Sequence, residues 1–159
     1  MFRELTRTHK AISPEECIEL LRTEKRGVLS VIGDDGYPYG MPLNHYYDDR
    51  DGCVYFHCGT QESHRQDAIR RCDKVSFCVT EAGERKDHPW ALEVRSVILF
   101  GRAQILTDWD TILDISTRLS RKFTEDAGYI EKEIAASGPR TLLIKVTPEH
   151  ICGKRVLEA

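Results

Sequence analysis

Four consecutive residues, Ser63-His64-Arg65-Gln66, carry the strongest chemical signal in the sequence. A serine followed three residues later by glutamine matches a capping box, so Ser63 is the expected N-cap of a short helix. His64 and Arg65 then fall in its first turn. Cations there oppose the positive end of the helix dipole, at a cost of a few tenths to about 1 kcal/mol. A bound anion would offset that cost, because first-turn N–H groups, the dipole and a guanidinium can all point at one phosphate. The competing reading is two solvated side chains on an exposed helix.

The stretch just before it adds a second clue. Cys53–Cys58 (CVYFHC) reads as a strand, so Val54, Phe56 and Cys58 share one face and Cys53, Tyr55 and His57 the other. His57 therefore stands near the strand's C-terminal end, a few residues before the candidate phosphate cradle. A ligand with its phosphate at Arg65 would lay its ring system along this strand. His57 is the first candidate for proton delivery, with Tyr46 and His45 behind it, because an imidazole titrates near neutrality. The plainer alternative is a hydrogen-bonded histidine in a barrel wall. Cys53, His57 and Cys58 do not have the spacing of a zinc site, and no CxxC pair exists, so no metal is expected.

Several elements must hold these residues in place. Ser13-Pro14-Glu15-Glu16 opens a helix running to about Lys25. Arg26–Ile32 is a buried strand, and Gly33–Gly36 a turn. Tyr37–Tyr47 is extended but interrupted by two prolines and a glycine, so part of it should face an edge or a ligand. Asp51-Gly52 signals a hairpin into Cys53–Cys58. A helix is expected at Ser63–Arg71, then strands at Lys74–Thr80 and Trp90–Leu106, the latter with a bend at Gly101. Asp108 caps a helix with an apolar stripe of Ile112, Ile115, Leu119 and Phe123. A further helix at Asp126–Ser137 precedes a last strand, Arg140–Val146. Short antiparallel strands at this spacing suggest a barrel flanked by helices.

The 159 residues suit one domain over 1–159, and the net charge of −3 disfavours a nucleic-acid partner. The opening MFRELTRTHK lacks the apolar core of a secretory signal, and no apolar run approaches a bilayer span. A cytoplasmic location is expected, with the six cysteines as free thiols.

Four stretches together resemble the FMN-binding split barrel of pyridoxamine-phosphate-oxidase-like proteins. They are RGVLSVIGDDGYPYGMPLNHYY, VYFHCGTQESHRQDAIRRCDKVSFCV, EVRSVILFGRAQIL and TLLIKVTPEHICGKR. The nitroimidazole-resistance (Nim-type) branch is the most similar. The resemblance implies a mainly β fold, a six-stranded antiparallel split barrel, forming a homodimer with FMN at the interface. It implies flavin contacts at Met41, Pro42, Leu43 and Asn44. It implies phosphate contacts where the third strand ends and the small helix opens, at Ser63, His64 and Arg65, with His57 and Cys58 also among the cofactor-binding residues. It also implies contacts from Arg95, Ser96 and Val97 reaching over from a partner subunit. A nicotinamide donor, NAD(P)H bound transiently, would supply electrons, and a small molecule such as a nitroaromatic would receive them. The alternative is a flavin- or haem-binding barrel without turnover, with His57, His64 or His88 as axial ligand. Two departures stand out. GMPLNHYY lacks the basic residue that pyridoxamine-phosphate oxidases proper carry on this strand, and GKRVLEA does not match their basic terminal motif, so oxidation of pyridoxamine phosphate itself is not expected.

Overall fold

The computed structural model describes residues 1–86 and 90–158. Its strands are β1 (Arg26–Ile32), β2 (Pro38–Asn44), β3 (Tyr46–Asp48), β4 (Cys53–Gly59), β5 (Lys74–Thr80), β6 (Glu84–Arg85), β7 (Leu92–Leu106) and β8 (Thr141–Glu158). Its helices are α1 (Pro14–Thr23), α2 (His64–Arg71), α3 (Trp109–Arg121) and α4 (Ala127–Ser137). All strand pairs are antiparallel, in the order β2-β1-β5-β7-β8-β4-β3, with β6 on β7. Six strands are long, as expected, and β3 and β6 add two short ones. Only His45 separates β2 from β3, yet these strands stand at opposite ends of the sheet order. Two residues can span at most about 7 Å, so the sheet must curl until its edges meet. That is the split barrel.

Inside the barrel, Met41, Leu29, Phe77 and Leu99 form one register-matched row across four strands, and all four are buried. Val54, Phe56 and Cys58 join this core. The opposite face of β4 packs against α3 through Cys53, Tyr55, Leu143, Ile112 and Ile115. The alternation read from CVYFHC is therefore observed, with a hydrophobic layer on each side of β4.

Helix α1 carries the expected capping box. Ser13 Oγ accepts from the Glu16 N–H, and the Glu16 carboxylate accepts from the Ser13 N–H. The hairpin turns fall where expected, with Asp35, Gly36 and Gly52 in the left-handed region. The expected bend at Gly101 is a register shift between Phe100 and Gly101. A Cβ there would stand 2.4 Å from the Thr147 carbonyl oxygen, so the close approach of β8 requires glycine.

Two expectations need correction. The last strand continues twelve residues past Val146 to Glu158, because β7 pairs with it along its whole length. Pro148 fits at the irregularity opposite Gly101, where a ladder hydrogen bond is already lost. Phe123 lies beyond the end of α3 and is exposed, with Lys25 Nζ 5.4 Å from its ring centroid.

The seam residue His45 is fully buried. Its Nε2 lies 2.8 Å from the Leu21 carbonyl oxygen, which can only accept, so Nε2 carries the proton. Among the described residues Nδ1 is buried with no partner, and the ring meets Phe77 edge-on at 4.8 Å. Lys122 Nζ donates to the Glu24 and His45 carbonyls at 2.6 and 3.1 Å, tying α3 to the seam. Burial, with Lys122 nearby, pushes the His45 pKa down to about 3. The unfolded chain therefore binds a proton that the folded chain refuses between about pH 6.5 and 3, and stability falls as pH drops through that window. Urea unfolding at pH 7, 5.5 and 4.5 should show the loss steepening below 6.5, by up to about 1.4 kcal/mol per pH unit from this ring. His45→Gln should flatten that slope.

Candidate functional site

Strand β3 pairs Tyr46 with Tyr55, and continuing that register would set Asn44 opposite His57. Instead the chain departs at His45 and pairs with β1. Beyond Tyr55, β4 is therefore paired only with β8, and its other edge is open. A cleft of about 750 Å³ lies at this fork. Leu43 and Asn44 line it from β2, His57, Cys58 and Gly59 from β4, and Arg65 from α2. Helices α3 and α4 form the facing wall, with Ile112, Ser116 and Leu119 among its residues, and Arg140 stands beside Thr141 at the start of β8.

The opening of α2 differs from the expected capping box. Ser63 occupies the N-cap position, but its hydroxyl makes no cap hydrogen bond. Gln66 turns back instead, and its Nε2 donates to the Gly59 carbonyl oxygen at 2.6 Å and lies 3.8 Å from Cys58 Sγ. This partly buried bond ties the end of β4 to the first turn of α2. Among the described residues it also leaves Ser63 Oγ without a partner, and Arg65 Nε is likewise buried and unpartnered. The first-turn N–H groups of α2 have no helical acceptors either.

His64 is drawn elsewhere. Its ring stacks on Tyr39 at 4.4 Å, and Nε2 accepts from the Asp34 N–H at 3.3 Å. Arg71 holds the Asp34 carboxylate at 2.7 Å, which lowers that acid's pKa. His64 thus serves the β1–β2 turn and is not among the residues that line the cleft.

His57 faces the α3 side and lines the cleft. Burial lowers its pKa, so the ring is neutral at pH 7, and among the described residues it makes no side-chain hydrogen bond. The Cys58 side chain packs into the barrel core, and burial raises its thiol pKa. Asn44 Oδ1 accepts from Arg26 Nε at 2.8 Å, which orients its amide.

Other expected residues are not brought together with these. Met41 points into the core and Pro42 points outward. In this chain Arg95, Ser96 and Val97 do not line the cleft. Val97 is fully buried, and Arg95 is held by Glu81, donating from Nη2 at 2.9 Å, with Glu19 at 3.3 Å. His88 lies outside the described residues. Ser116 and Arg140 were not anticipated. Ser116 is legible only as a polar interruption of the Ile112–Ile115–Leu119 stripe, and Arg140 only as a cation before the closing strand.

A family model for pyridoxamine 5'-phosphate oxidase matches residues 13–155. The chain belongs to that family. Among curated proteins no match was found. The family's fold recurs in solved structures. One is of a candidate 5-nitroimidazole antibiotic resistance protein from Bacteroides thetaiotaomicron VPI-5482, with TM-score 0.76 and 15% identity over 93% of this chain and 87% of that one. A conserved hypothetical protein from Mycobacterium tuberculosis gives TM-score 0.78 and 17% identity over 95% and 90%. A FAD-binding protein from Mesorhizobium loti gives 0.65 and 21% over 92% and 97%. Besides Arg65, the cleft is lined by a second guanidinium, that of Arg140.

Gln66→Leu removes the link between β4 and α2. It should cost about 1 kcal/mol, read as a fall in Tm of roughly 2–4 °C.

Proposed function

We propose that the chain is an FMN-dependent oxidoreductase that acts as a homodimer, passing electrons from a nicotinamide donor to a small electrophile such as a nitroaromatic. The observation that carries this reading is the pair of buried, unpartnered groups at the opening of α2, Ser63 Oγ and Arg65 Nε. A buried guanidinium nitrogen without an acceptor is costly. A phosphate would satisfy it, the serine hydroxyl and the first-turn amides together. Family membership and the likeness to a FAD-binding protein support a flavin as the owner of that phosphate. The likeness to a candidate nitroimidazole-resistance protein supports the acceptor class.

When bound, the flavin supplies the redox chemistry. Arg65 and Ser63 hold the phosphate. Leu43, Asn44 and the open edge of β4 bound the space for the ring system, while Ile112 and Leu119 exclude water from its far side. His57, neutral at pH 7, can take a proton from solvent on its free ring nitrogen and release the other ring proton to a reduced acceptor, so that the ring ends neutral as it began.

The outer sheet face supports the dimer. Pro42, Val28, Cys78, Ile98 and Cys152 lie in one register row across five strands. Val28, Cys78 and Ile98 are exposed. A contiguous apolar row of this kind suits burial by a second copy.

Two measurements test the reading. After FMN is supplied and the unbound flavin is removed by desalting, the protein should keep a flavin band at about 450 nm, and Arg65→Ala should weaken FMN binding roughly 10- to 100-fold, the scale of a charge-assisted bond. A protein left colourless by this treatment, or one with a haem Soret band, overturns it. In sedimentation, Ile98→Asp should shift a wild-type dimer to monomer.

A further inference from the structure

Two guanidiniums line the cleft, that of Arg65 from α2 and that of Arg140 from the junction of α4 with β8. The backbone roots both at the same end. Gly59, the last residue of β4, accepts from Gln66 Nε2 in the first turn of α2 and pairs with Thr141. The next residue, Thr60, donates its N–H to the Arg140 carbonyl oxygen at 3.1 Å. Partners across such a ladder stand about 5 Å apart, so Arg140 starts beside the short link that leads from β4 to Ser63.

The charge of a phosphate calls for both. A phosphate monoester carries about −1.5 to −2 at pH 7, and Arg65 offsets only one unit of it. Apart from the two arginines, the charged residue lining the cleft is Glu133, which has the wrong sign. Among the described residues no carboxylate pairs with Arg140, and its side chain makes one hydrogen bond, from Nη2 to the Ala136 carbonyl oxygen at 3.4 Å. That long bond uses one of the five guanidinium N–H donors. Ala136 lies in the last turn of α4, where a cation satisfies a carbonyl that the helix leaves open. Arg140 therefore touches α4 with one donor and has the others to give to an anion.

Helix α4 is weakly anchored. Of its eleven residues Ile130 alone is buried, against three in α1, three in α2 and four in α3. It rests on α3, and at its C-terminal end a Cβ on Gly138 would stand 2.8 Å from the Trp109 ring. An element with so few buried apolar contacts opens at a low free-energy cost. Yet α4 forms part of the wall over the open edge of β4.

We propose that Arg140 is a second guanidinium ligand of the phosphate bound at Arg65, and that this phosphate, held between α2 and the C-terminal end of α4, fastens α4 over the cleft. That the phosphate belongs to a flavin rests on the reading proposed above; the clamp requires only the phosphate.

The test compares FMN with riboflavin, which has the same ring system and no phosphate, by flavin fluorescence titration. The wild type should prefer FMN. Arg140→Ala should weaken FMN roughly tenfold, the lower end for a charge-assisted bond, and bind riboflavin as the wild type does, which shows the cleft intact. Arg140→Lys, which keeps the charge, should recover part of the loss. Hydrogen exchange over residues 127–137 reads the clamp. At FMN ten times its Kd, exchange there should slow about tenfold, because opening of α4 then requires release of the phosphate. Riboflavin at matched saturation should slow it less, and in Arg140→Ala the two flavins should act alike. An Arg140→Ala protein that binds FMN like the wild type overturns the inference, as does equal protection of α4 by FMN and riboflavin in the wild type. If Arg65→Ala weakens FMN and Arg140→Ala does not, the inference falls and the flavin reading stands. If neither flavin is held, inorganic phosphate is the probe. Slower α4 exchange with phosphate in the wild type but not in Arg140→Ala then keeps the clamp and sinks the flavin reading, whereas no effect of phosphate sinks both.

Discussion

The architecture depends on what happens at His45. One extended run, from Pro38 to Asp48, belongs to both edges of the same sheet, and a single residue separates the two memberships. That residue cannot be solvated, because it sits where the curled sheet meets itself. Its ring is held by the Leu21 carbonyl and braced against Phe77, and its own carbonyl is taken by Lys122. Helices α1 and α3 are thereby tied to the seam. The pairing of Lys122 with two backbone carbonyls places a cation in a largely buried site, and burial lowers its pKa to about 8. A fold accepts such a residue when the alternative is two unpaired carbonyls at its closure point.

The cleft is a direct consequence of the seam. Where β2 parts from β4, the β4 edge beyond Tyr55 has no strand to pair with. An exposed edge is a hazard unless something covers it. Here α3 and α4 cover it at a distance, and the interval between helices and edge is the cleft. Gln66 then sets the far end, fastening the last residue of β4 to the first turn of α2. The site is thus bounded by the two devices that close the barrel, and the same geometry that prevents edge-to-edge association leaves a ligand-sized space.

Much of this was legible in the sequence because the signals are local. The Ser13–Glu16 box, the turns at Asp35-Gly36 and Asp51-Gly52 and the two-faced CVYFHC strand each depend on residues within a few positions of one another. What was not legible depends on distant partners. The second half of β8 contains Pro148, Gly153 and several charges, and its pairing with β7, helped by a bridge from Ala11 to Lys154, makes it a strand. The Ser63–Gln66 spacing matches a capping box, but the carbonyl of Gly59, brought close by the end of β4, competes successfully for the glutamine amide. His64 is diverted by Asp34 and Tyr39, thirty and twenty-five residues upstream. Arg65 lines the cleft, and among the described residues no side chain takes its Nε.

The distribution of unsatisfied polar atoms distinguishes a site from a merely irregular surface. The exposed charges of this chain are extensively paired: Arg22 with Asp49, Arg70 with Glu62, Arg102 with Asp73 and Glu149, Arg95 with Glu81 and Glu19. The chain therefore has acidic partners available for its guanidiniums. Yet Arg65 Nε, Ser63 Oγ and Gln66 Oε1 at the opening of α2, and Ser116 Oγ across the cleft, are buried without a partner. The fifth such atom among the described residues, His45 Nδ1, is fixed by the tautomer that the seam demands. Random imperfection would scatter these atoms through the core. Their concentration at one end of a helix and on the wall opposite it means that the folded chain alone leaves this region electrostatically incomplete. A bound anion would satisfy the donors Ser63 Oγ and Arg65 Nε, a hydrogen-bond acceptor would satisfy Ser116 Oγ, and Gln66 Oε1, itself an acceptor, calls for a donor.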